Sequence, residues 1–150
     1  MQTSEIRKAM ISHIDELAEL FNSYRVFYKK EPDIEKARQF LLERLIKNES
    51  EIFVSFSDSV MTGFIQLYPL FSSTRMEKFW LLNDLFVADK FRGQGVSITL
   101  IERAKELCRQ SGAGGFMLET AKTNVIGNQL YQRTGLVLDE EHNVYNWDVK

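Results

Sequence analysis

Two glycines, Gly93 and Gly95, stand between an apolar run at 81–87 and an amphipathic run at 97–110, and that order constrains the fold more than any other feature of the chain. The first run reads as a buried strand. The second places Leu100, Ile101, Ala104, Leu107 and Cys108 on one helical face and stops near Ser111-Gly112, where a glycine suits a helix end. A short apolar segment at 116–120 follows as another buried strand. Strand, turn, helix and strand in this sequence make a crossover, which is right-handed and leaves its two strands parallel. A glycine turn at the helix start lets the backbone N–H groups of Gly93, Gln94, Gly95, Val96 and Ser97 converge on an anion that the helix dipole favours, and Arg92 can add its charge. Taken alone, Gly-x-Gly is more often an ordinary turn. Two familiar phosphate loops are excluded. No Gly-Lys-Ser/Thr follows, and a dinucleotide fingerprint needs glycine where Ile98 stands.

The rest of the chain predicts a mixed sheet. After a strand-like start around Ile6, the residues Ile14, Leu17, Phe21 and Tyr24 share a helical face, and Ile34, Ala37, Leu41 and Leu45 share another, with Asp33 as its cap. Ile52, Val54 and Phe56 alternate with polar residues, Asp58-Ser59 offers a turn, and 60–70 reads as the return strand of a hairpin. A loop is expected at 71–75, a strand at 79–87, a short helix at 125–133 ended by Gly135, and at least one further strand within 136–149. The fold class expected is α/β: one domain over 1–150, a mostly antiparallel sheet carrying one parallel pair, with helices on both faces. Ligands of such sheets sit beyond the carboxyl ends of the parallel strands, where the glycine turn falls.

Composition removes several function classes. With 150 residues, 44% of them hydrophobic, the chain can build a real core, and a formal net charge of −2 offers no basic field for nucleic acid. One cysteine, Cys108, and two separated histidines, His13 and His142, make neither a disulfide framework nor a zinc cluster, so no metal is expected. The polar start and the lack of a long apolar stretch predict a cytoplasmic protein without membrane insertion.

A second element narrows the reading. The segment Asn124-Val125-Ile126-Gly127-Asn128-Gln129-Leu130-Tyr131-Gln132-Arg133-Thr134-Gly135-Leu136 puts a tyrosine on a helix after the second parallel strand. Together with the glycine turn it resembles the GCN5-related N-acetyltransferase family. That family's turn aligns on Arg92, Gly95 and Ser97, and its later element on Asn124, Gly127, Leu130, Tyr131, Gly135 and Leu136. Ser97, Gly127 and Leu136 depart from the usual residues at their positions. The wording of residues 82–87 is similar to the branch with fungal histone and polyamine acetyltransferases and their bacterial relatives.

The resemblance implies transfer of an acetyl group from acetyl-CoA to an amine by direct attack, in an acyl-CoA N-acyltransferase fold. Backbone groups of Leu85, Phe86 and Val87 would hold the pantetheine arm and polarise the thioester, residues 92–97 the pyrophosphate, and Asn124 would contact the cofactor; Asn124 also suits a helix cap. Tyr131 is implied as the acid that protonates the leaving thiolate. An alkylamine is almost wholly protonated at neutral pH, and freeing its lone pair costs roughly 4–5 kcal/mol. A carboxylate base answers that need. Glu119 matches the base of some ribosomal-protein members of the family, and Asp84 competes with it. Tyr24, Phe27 and Tyr28 line the acceptor cleft or simply pack in the core. A homodimer is the assembly the resemblance implies. Two rival classes remain, a noncatalytic acetyl-CoA sensor and a nucleotide-dependent oxidoreductase.

Overall fold

The computed structural model describes residues 4–150. Two compact units divide the chain, one ending at Glu119 and the other spanning Thr120–Lys150.

In the first unit the helices form where apolar residues recur at helical spacing. Helix α1 (Ile14–Phe27) buries Ile14, Leu17, Ala18 and Phe21, and α2 (Ile34–Ile46) buries Ala37 and Leu41. Asp33 caps α2 as its sequence predicts, its Oδ1 accepting the Lys36 amide at 3.1 Å. Among the described residues, β1 (Glu5–Lys8), β2 (Glu51–Ser57), β3 (Val60–Ser72), β4 (Glu77–Val87) and β5 (Phe116–Met117) form one sheet in chain order. Neighbouring strands are antiparallel up to β4, and β4 with β5 is the one parallel pair. Helix α3 (Val96–Ser111) makes the crossover between them and ends at Gly112, whose φ of +69° suits glycine. The connection between β3 and β4 is shorter than expected: β3 runs on to Ser72, two residues into the segment expected as loop, and β4 starts at Glu77.

Both faces of the sheet are covered. Ile52, Val54, Phe56 and Phe64 pack with Ile14, Leu17, Phe21, Ala37 and Leu41 of α1 and α2. Phe53, Ile65, Leu67, Trp80 and Leu82 pack with Val96, Leu100, Ala104 and Leu107 of α3. Strands sandwiched this way lose the apolar and polar alternation of a half-exposed sheet, and β2 is buried from Ile52 to Ser57, serines included.

The second unit holds α4 (Val125–Arg133), within the bounds its periodicity predicts. Two strand expectations fail. The strand predicted over 116–120 stops at Met117, and residues 136–149 form none. Val137, Leu138, Val144, Tyr145, Trp147 and Val149 stand exposed instead. Apolar spacing alone does not make a strand; its N–H and C=O groups need a neighbouring ladder, and none engages this segment. No described helix is long and apolar enough to cross a membrane.

Candidate active site

The glycine turn forms an open helix start. After β4 the chain passes through a turn of 3-10 helix (Asp89–Phe91) into Arg92, and Gly93 and Gly95 take φ of +75° and +82°. Gly95 is the N-cap of α3, and no side chain caps that end. A Cβ at either glycine would meet nothing within 4 Å, so open space lies over the turn. Conformation, rather than crowding, is what demands glycine here. Val96, the first helical residue, is buried under the sheet, which anchors the helix start, while Ser97 is half-buried and Gln94 exposed. The Arg92 side chain is occupied. Its Nε donates to the Val87 carbonyl at 3.0 Å, a terminal nitrogen pairs with Asp89 at 2.9 Å, and its guanidinium lies over the rings of Phe86 and Phe27. Arg92 thereby ties the glycine turn to the last residue of β4 and to α1.

Leu85, Phe86 and Val87 form the end of β4, and that end has parted from its parallel neighbour. Pairing with β5 is confined to Trp80 with Phe116 and Leu81 with Met117, whereas pairing with β3 continues to Val87 opposite Gly63. Beyond Leu81, β4 therefore has an edge that β5 does not cover. Gly63 lets the β3 and β4 backbones approach closely here: a Cβ would stand 2.7 Å from the Phe86 carbonyl oxygen.

A bulge in β4 decides what faces each side. Gln66 is opposite Asp84 and Leu67 opposite Leu82, which leaves Asn83 as the extra residue. Before it, Trp80 and Leu82 face α3; after it, Leu85 and Val87 do so, while Phe86 joins the core under α1 and α2. An unbroken alternation would have put Asp84 on the α3 face with Leu82. The bulge carries it to the side of α1 instead.

Asp84 is 4% exposed there, and side-chain donors converge on its carboxylate. Gln66 Nε2 donates to Oδ2 at 2.6 Å and Asn83 Nδ2 to Oδ1 at 3.2 Å. The Tyr24 hydroxyl donates to the Asn83 carbonyl at 3.2 Å and also acts on the Asp84 carboxylate. Ser50 Oγ donates to Gln66 Oε1 at 2.7 Å, and that bond fixes which end of the amide faces Asp84. Burial pushes the Asp84 carboxyl above the usual aspartate range, and the donors from Gln66, Tyr24 and Asn83 pull it back. The nearby Tyr68 hydroxyl is pushed up to about 12, first by burial and then by the charge of Asp84.

Glu119 lies two residues past the end of β5 and is exposed. Asn124 and Tyr131 belong to the second unit. Asn124 caps α4, its Oδ1 accepting the Gly127 amide at 3.1 Å and its Nδ2 donating to Thr120 Oγ1 at 2.9 Å. A Cβ at position 127 would collide with the Asn124 side-chain amide, so the glycine in place of the family's alanine makes room for this cap. Tyr131 is half-buried on α4, and its carbonyl accepts the Leu136 amide at 2.9 Å.

The family model described as Acetyltransferase (GNAT) family matches residues 14–136. The chain belongs to this family. It is 39% identical over 130 residues to the uncharacterized N-acetyltransferase YhfO of Bacillus subtilis, covering 87% of each chain. A crystal structure of "a probable acetyltransferase" is 35% identical, with a TM-score of 0.92 over 97% of this chain and 98% of that one. A more distant structure, of a "predicted acetyltransferase with acetyl-CoA" from Clostridium acetobutylicum, shares the fold at 14% identity, with a TM-score of 0.77 over 96% of each chain. The protein is an acetyltransferase.

In this acetyltransferase the residues that sequence reasoning missed are Gln66, Ser50 and the bulge residue Asn83. One signal was available. Asn83-Asp84 puts two polar residues in succession inside a buried strand, a break in alternation that a bulge resolves. Of the aromatics expected at the acceptor cleft, Tyr24 packs against Phe21, Phe64 and Phe86, whereas Phe27 and Tyr28, at the end of α1, remain exposed.

Proposed function

We propose that this acetyltransferase moves an acetyl group from acetyl-CoA to a primary amine by direct attack, with Asp84 accepting the proton that the amine must lose. The observation that carries the reading is the β4 edge freed beyond Leu81, standing beside the uncapped start of α3 at Gly95. Free strand amides suit an extended pantetheine arm and an oxyanion. An uncapped helix start suits a pyrophosphate, and Gly93 to Ser97 supply its amides. The distant relative with acetyl-CoA adds support for that cosubstrate.

Asp84 is favoured over Glu119 because a base for an alkylamine gains from a raised pKa, and burial supplies it at Asp84. Neutralising the attacking ammonium frees the lone pair. The amine nitrogen then bonds to the thioester carbon, the carbon–sulfur bond breaks, and the CoA thiolate leaves with a proton from Tyr131. That last role rests on the sequence motif around Tyr131. Titration calorimetry with acetyl-CoA, CoA and NAD tests the donor, and thiol release across polyamines, amino acids, aminoglycosides and basic peptides tests the acceptor. Binding of NAD without acetyl-CoA would overturn the reading; acetyl-CoA binding without turnover on any amine would leave a sensor domain in its place.

A further inference from the structure

Gln66 is a fully buried amide in the middle of a sheet, and a buried amide is costly unless each of its ends is satisfied. Both of its ends are used. Ser50 holds Oε1 at 2.7 Å, and Nε2 reaches Asp84 at 2.6 Å. Ser50 is itself buried, at the junction that leads into β2. A leucine or methionine would fill the same space between Phe64 and Tyr68 on this face of β3 without needing any partner. The bulge at Asn83 is what sets Gln66 and Asp84 directly opposite each other, so strand register and side-chain chemistry act on the same atom.

We propose that Gln66, locked in one orientation by Ser50, is a positioning residue for the acetyl-transfer reaction: it aims Asp84 Oδ1 toward the acceptor by holding Oδ2, and it keeps the carboxylate ionised where the amine must be deprotonated. The inference rests on Asp84 being the base. Oδ2 is held by Gln66 and Oδ1 accepts from the exposed amide of Asn83, which an arriving amine can displace, while the Tyr24 hydroxyl adds a further hydrogen bond to the carboxylate. Losing the Gln66 donor leaves burial acting with less opposition, so protonation of Asp84 extends to higher pH. The other groups facing this site do not produce such a change. Tyr24 from α1 donates as a neutral hydroxyl, and Tyr68 of β3 stays neutral below about 12. Arg44 of α2 and Glu49 act on Tyr68 with opposite signs.

The test is the pH dependence of kcat/KM for Gln66→Leu, Ser50→Ala and Asp84→Asn in the full chain. Gln66→Leu is expected to move the acidic limb to higher pH, lowering activity on that limb roughly tenfold while the alkaline plateau changes about twofold or less. Ser50→Ala frees the amide to turn and is expected to move the limb the same way by a smaller amount. If Gln66→Leu does not fold, Ser50→Ala decides. Limbs that stay at the wild-type position in the folded variants, with only the melting temperature lowered, would reduce Gln66 to a structural residue and overturn the inference. The Asp84→Asn arm separates that failure from failure of the base itself: an acidic limb surviving in Asp84→Asn rejects Asp84, whatever Gln66 does.

Discussion

The start of α3 and the bulge of β4 adjoin the same strand end, yet they are built on opposite principles. The α3 start is open: two glycines with positive φ, no capping side chain and, among the described residues, nothing within 4 Å of a Cβ built at either glycine. The bulge is closed: a carboxylate nearly sealed from solvent, with donors from Gln66 and Asn83 on its two oxygens. An open site gains its interactions only when a ligand arrives, so it costs the folded protein little. A closed site holds an ionisable group in low dielectric, so its cost falls on stability in the absence of substrate. On the proposed mechanism, donor binding and proton removal therefore respond to different kinds of substitution.

The largest expected effect tests the closed site. Asp84→Asn should lower kcat by about a hundredfold to ten-thousandfold, the range of a general base, while leaving acetyl-CoA affinity unchanged. Turnover within a few-fold of wild type would remove Asp84 from the mechanism. Tyr131→Phe should come next, lowering kcat roughly ten- to a hundredfold with acetyl-CoA affinity retained, since it removes a proton donor and little contact area. Calorimetry showing lost affinity instead would make Tyr131 a binding residue.

The open site is addressed by a paired substitution at the two ends of α3. Gly95→Ala and Gly112→Ala place a side chain at φ of +82° and +69°, both in open space, so each should cost stability by a similar amount, about 1 kcal/mol. Only Gly95→Ala should also weaken acetyl-CoA binding, by about tenfold. Equal affinities in the two variants would count against a pyrophosphate at the α3 start.

The smallest effects sharpen the contrast. Glu119→Gln should leave kcat within about twofold and its acidic limb in place, because the proposed mechanism assigns it no proton. A limb lost in this variant would return the base to Glu119. Stability should also depend on pH through Asp84. Its folded pKa is raised by burial, so its contribution to stability is fully present below the unfolded pKa and is lost as pH rises through the folded one. Asp84→Asn should accordingly melt above wild type at about pH 8, with the difference shrinking toward acid. A variant that melts lower across the whole range would mean the carboxylate hydrogen bonds outweigh its burial.

Much of the first unit was legible because its signals are local. Asp33 caps α2 through its own side chain, Gly112 ends α3 through its own φ, and the crossover of parallel strands follows from element order and chirality. Gly93 and Gly95 were legible for the same reason. The apolar residues within 136–149 misled because burial periodicity carries no information on whether a ladder partner is present. Asp84 was visible as a carboxylate near a strand end, but its environment was not.

By itself the sequence determined the family, the order of elements and the glycine turn where a helix begins, since each depends on residues close together in the chain. Only the tertiary structure decided which carboxylate is sealed and hydrogen-bonded. Asp84 owes that to Asn83 bulging out of register with β3, and to Gln66, distant in the chain, meeting it across the sheet with its own amide held by Ser50. Register and burial are properties of strands in contact, and no single strand contains them.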